Sequence, residues 1–83
     1  MKEFEPGLKN DLIACGFEQE KVVPDVDRMV RRIGKRVFSA VPWITREFGY
    51  ERPTIWLAEL TYRYDTYASC QTDIEAFINR FTP

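Results

Sequence analysis

Nucleophilic, metal and acid–base chemistry would each have to be assembled here from very few side chains. Histidine is absent, and Cys15 and Cys70 are the only soft ligands, so a zinc site would have to recruit carboxylates or a second chain. Ser39, Ser69 and the two thiols lack the imidazole that usually activates such nucleophiles, and no G-x-S-x-G or S-x-x-K surrounds them. Asp25 and Asp27 form a close carboxylate pair, but in the first turn of a helix they are explained as partners of its dipole. The glycines are single and make no phosphate-cradling loop. These residues predict a protein that is not an enzyme and that takes no metal and no cofactor.

Binding chemistry has better material. Arg28, Arg31, Arg32, Lys35 and Arg36 place five cations within nine residues, and Arg46 and Arg52 extend the field. Such a cluster is a candidate site for an anionic partner, nucleic acid included. Phe38 lies beside Arg31 on a helical wheel, where it would offer a stacking surface to an unpaired base. Charge elsewhere argues against that use. Residues 1–27 carry seven acids against three lysines, and residues 53–83 carry four acids against two arginines, giving a net charge of -1. The acidic arms are therefore expected to neutralise the basic stretch internally, ahead of any external ligand. Near-neutrality also removes repulsion between copies and favours a homodimer.

The elements that would position these residues read as helices. Residues 5–15 place Leu8, Leu12 and Ile13 on one side, with Pro6 in the first turn, Gly16 as the closing residue and Phe17 folded back on Leu12. Pro24 opens a central amphipathic helix over 24–41. On its wheel Val26, Met29, Val30, Ile33, Val37, Ala40 and Val41 span about 120°, opposite the cations. Pro42 is expected to break or kink it. Residues 53–70 are ambiguous. A helix places Trp56, Leu57, Leu60, Tyr64, Tyr67 and Ala68 on one side, whereas a strand over 54–64 would alternate Trp56, Ala58, Leu60, Tyr62 and Tyr64. No second clean alternating run is present to pair with, so the helix is preferred. Thr72 and Glu75 suggest a capping box for a last helix carrying Ile74, Phe77, Ile78 and Phe81.

The expected fold is thus all-α: one domain over 1–83, a small bundle of about four helices, with an α+β fold containing a strand at 54–64 as the alternative. Aromatic residues make up 14% of the chain, enough for a compact core with rings left over for a partner. On the 53–70 helix the face opposite the core gathers Ile55, Ala58 and Tyr62, the expected contact for a partner protein. The polar N-terminus, the lack of a membrane-spanning run and two cysteines expected to be buried free thiols (a disulfide being the alternative) point to a soluble, cytoplasmic protein with no membrane role. The function expected is a non-catalytic interaction module, such as an adaptor, inhibitor or regulatory subunit. The alternative is a nucleic-acid-binding protein using the basic face of helix 24–41.

Overall fold

A computed structural model describes residues 3–20 and 27–82. Its elements are α1 (Pro6–Ala14), β1 (Glu18–Gln19), β2 (Met29–Ile33), β3 (Arg36–Glu47), β4 (Tyr50–Glu59), β5 (Tyr64–Ala68) and α2 (Gln71–Asn79). The strands form one antiparallel sheet in the order β1-β2-β3-β4-β5, each paired with its neighbours in sequence. This is a small α+β fold, and the expected four-helix bundle is wrong.

Both helices form where local signals place them. The Glu5 carboxylate accepts from the N–H groups of Gly7 (3.0 Å) and Leu8 (3.2 Å), and Pro6 occupies the first turn, where no donor is missed. The helix closes at Gly16, whose φ of 85° suits a residue without a Cβ, as Phe17 N–H donates to the Leu12 carbonyl at 3.0 Å. Leu8 and Leu12 are buried, whereas Ile13 is exposed. In α2 the buried side is Ile74, Phe77 and Ile78. Its start differs from the expected Thr72–Glu75 box. Cys70 is the N-cap, and Asp73 accepts from the N–H (3.1 Å) and hydroxyl (3.3 Å) of Ser69. Those bonds hold the Asp73 carboxyl below its usual range against the opposing effect of burial.

Between the helices the chain is a strand meander. The start expected for the central helix, Pro24 with Asp25 and Val26, lies outside the described residues. From Met29 onward that stretch is a β-hairpin: Ile33 pairs with Arg36 across a two-residue turn at Gly34–Lys35, and Gly34 takes φ 59°. A positive φ at the first central residue is what such a turn asks of glycine. Pro42 breaks no helix; it is a strand residue opposite Ile55. The expected helix over 53–70 is β4, a turn and β5. Strand rather than helix is therefore the right reading of its first half, although β4 ends at Glu59 and the chain turns through 60–63. The partner that β4 needs comes from the same chain, β3 on one side and β5 on the other.

Directly opposed residues share a sheet face. Met29, Ala40 and Leu57 share one, as do Pro42, Ile55 and Ala68, and both helices pack there. Phe38 is fully buried at the centre, edge-on to Phe77 (ring centroids 6.2 Å apart) and to Phe81 (6.0 Å). The result is two layers, helices on sheet, around a single core.

Candidate functional site

The other sheet face carries Val30, Ser39, Ala58 and Asp65 in one cross-strand row and Val41, Trp56 and Tyr67 in the next. Trp43, opposite Thr54, continues this face along β3. No helix among the described residues covers it, yet it is rich in rings. Trp43 lies 5.4 Å from Trp56 and 6.2 Å from Tyr67, centroid to centroid, in tilted packing. Trp56 remains 38% exposed and Tyr67 53% exposed, so the cluster is open to a partner even though its members support one another. The Trp56 indole N–H donates to Asp65 Oδ2 at 2.8 Å, which fixes the ring against β5. Toward the β4–β5 turn an open cavity of about 380 Å³ follows, bounded by Val41, Trp56, Ala58, Leu60, Arg63 and Asp65. An apolar floor with one cation, Arg63, and two acids, Glu59 and Asp65, in its lining suits an apolar side chain of a partner flanked by polar groups.

The five cations do not share a face. Arg28 reaches Ser39 Oγ at 3.0 Å on the helix-free side. Arg31 lies on the opposite side and donates to the Cys15 carbonyl at 2.7 Å, placing a positive charge at the C-terminal end of α1. Arg32 lies 3.9 Å from Glu20. Lys35 is in the hairpin turn, where its carbonyl accepts from the Thr61 hydroxyl at 3.4 Å. Arg36 lies 4.0 Å from Glu59 and covers the rings of Tyr62 (4.8 Å) and Phe81 (5.6 Å). The basic amphipathic helix on which the nucleic-acid alternative depended is absent, because alternation in a hairpin sends neighbouring arginines to opposite faces.

Ile55, Ala58 and Tyr62 are likewise separated. Ile55 is fully buried under the helices, Ala58 is on the helix-free face, and Tyr62 is in the β4–β5 turn, 59% exposed beside Arg36. Helical spacing brought them together on a wheel; a strand followed by a turn pulls them apart. Sequence reasoning missed Trp43 and Asp65 altogether and assigned Trp56 and Tyr67 to a helical core face. The alternation of Val41 with Trp43, and of Trp56 with Ala58, was the available signal.

Both thiols are free. Cys15 is buried and Cys70 is exposed at the cap of α2. Burial pushes the Cys15 thiol up, Glu75 adds to that, and Arg31 only partly opposes it, so this sulfur is protonated near neutral pH. Among the described residues no group of three His, Cys, Asp or Glu side chains is placed to hold a metal, and no helix is long and apolar enough to cross a membrane. No known protein-family model matches the chain, and neither a curated protein nor a solved structure matches it significantly, so function has to be argued from this geometry.

Proposed function

We propose that the protein is a non-catalytic interaction module, an adaptor, inhibitor or regulatory subunit, that docks a partner protein on the helix-free sheet face. The observation that carries this is the Trp43–Trp56–Tyr67 cluster. Tryptophan and tyrosine supply large contact area at little entropic cost and dominate the energetics of protein interfaces. The face mixes acids (Glu18, Glu20, Asp65) with cations (Arg28, Arg32, Arg63) and so lacks the positive excess a nucleic-acid surface needs, which favours a protein partner. The two free thiols fit a reducing compartment, which supports a cytoplasmic site of action.

The test is site-specific photo-crosslinking in cells that make the protein. A crosslinking residue at Tyr67 is expected to give a discrete adduct with another protein, lost when Trp56→Ala is added and absent when the crosslinker replaces Glu75 on α2. Adducts indifferent to Trp56, or adducts removed by nuclease rather than protease, would overturn the proposal.

A further inference from the structure

Arg63 is an outlier in the β4–β5 turn. It takes φ 59°, in the left-handed region that glycine or asparagine enters easily and an arginine only with strain. The fold gains no contact in return, since among the described residues Arg63 makes no hydrogen bond, ion pair or ring contact. Its exposed side chain instead lines the 380 Å³ cavity on the helix-free face, beside Trp56, Val41, Ala58 and Leu60. Strain retained at a residue that holds nothing inside the chain points to a use outside it.

The charges around this cavity divide into those already satisfied and those that are not. Glu59 is buried, with its oxygens bonded to the Thr61 and Tyr62 N–H groups and Arg36 4.0 Å away. Asp65 accepts the Trp56 indole N–H at 2.8 Å. Arg28 approaches from the β2 side, donating to Ser39 Oγ at 3.0 Å, and like Arg63 has no acid partner among the described residues. Glu18 and Glu20, the other acids of this face, lie at the opposite edge of the sheet, where Glu20 is 3.9 Å from Arg32. The face is therefore balanced as a whole but cationic at this end, where Arg28 and Arg63 stand against Asp65. We infer that the cavity takes an acidic segment of the partner protein, one apolar side chain entering it and an adjacent aspartate or glutamate pairing with Arg63. Charge complementarity selects this occupant: an apolar anchor fits the floor, a neighbouring lysine would meet two arginines, and a carboxylate meets an unpaired guanidinium able to bind it through two N–H groups.

The inference rests on docking at the helix-free face and adds the chemistry of the docked segment. It is tested on the purified protein with two synthetic peptides of equal length, a central leucine flanked by glutamates or by lysines, titrated at about 0.1 M salt and followed by NMR at the Trp56 indole N–H and the Ala58 amide. The glutamate peptide is expected to shift both signals and to bind about tenfold or more tightly than the lysine peptide. Arg63→Glu should reverse that preference. Arg63→Gly, which suits the positive φ, should erase it without lowering the melting temperature, so lost binding is not lost folding. Arg80→Glu makes the same change of charge on the far side of the molecule and should leave the preference intact. No binding of the glutamate peptide at about 5 mM, equal affinities, a preference that survives Arg63→Gly, or tighter binding of a single-stranded oligonucleotide overturns the inference. A Trp56-dependent crosslink from Tyr67 to a protein, found alongside any of these results, would keep the docking reading and remove only the acidic segment.

Discussion

Glu59 is a carboxylate at the end of β4 with 0% of its surface exposed. An ion in such a place is costly unless its oxygens are occupied, and here they are. The N–H groups of Thr61 and Tyr62 donate to them at 2.8 and 2.9 Å, and the Arg36 guanidinium is 4.0 Å away. Burial alone would raise the carboxyl; the bonds from Tyr62 and Thr61, helped by Arg36, outweigh it and leave the group below its usual range. Because the folded value is depressed, the stability it contributes is fully present above the unfolded value of about 4.3 and is lost as pH falls through the lower folded value. Glu59→Gln keeps the shape but loses one acceptor and the charge. It should cost about 1–3 kcal/mol at pH 7, read from urea midpoints, with the gap to wild type narrowing below about pH 4. A gap that is constant with pH would show that charge is not what ties the β4–β5 turn.

At the scale of elements, the most informative residue is Gly34. In a helix over 24–41, alanine at this position would stabilise by about 1 kcal/mol; in the β2–β3 turn, with φ 59° and nothing within 4 Å of an added Cβ, it should destabilise by about the same amount through backbone strain alone. Thermal melts of Gly34→Ala therefore report the architecture by their sign, and a higher melting temperature would contradict the hairpin. The same residue explains what was legible in the sequence. The helices were readable because caps and i, i+4 contacts are local: Leu8, Leu12, Gly16 and Phe17 in one, Ile74, Phe77 and Ile78 in the other. The sheet was not, because each of its strands depends on a register set elsewhere in the chain. Apolar residues on both faces of β3, Phe38 and Ala40 on one and Val37 and Val41 on the other, blurred the period of two and let a helical wheel fit equally well. The candidate site was hidden for the same reason, since Trp43, Trp56 and Tyr67 converge only once three strands are in register.

The whole molecule is asymmetric: every packed helix lies on one side of a single sheet, so cohesion and binding are assigned to opposite faces. A domain of this size holds together by roughly 0.05–0.15 kcal/mol per residue, a total of only several kcal/mol. Phe38, fully buried between sheet and α2, should cost about 3–5 kcal/mol on truncation to alanine, a large share of that total. Trp56 is no smaller, but it is 38% exposed and is held by the Trp43 ring and the Asp65 carboxylate at the surface, so Trp56→Ala should cost about 1–2 kcal/mol and leave a cooperative transition. The measurement is a pair of urea titrations at one protein concentration, followed by far-UV circular dichroism. Phe38→Ala is expected to lose its native baseline, and Trp56→Ala to keep it with a lower midpoint. Equal damage from both would mean that the helix-free face is a second core, and a face needed for cohesion would not be available to a partner.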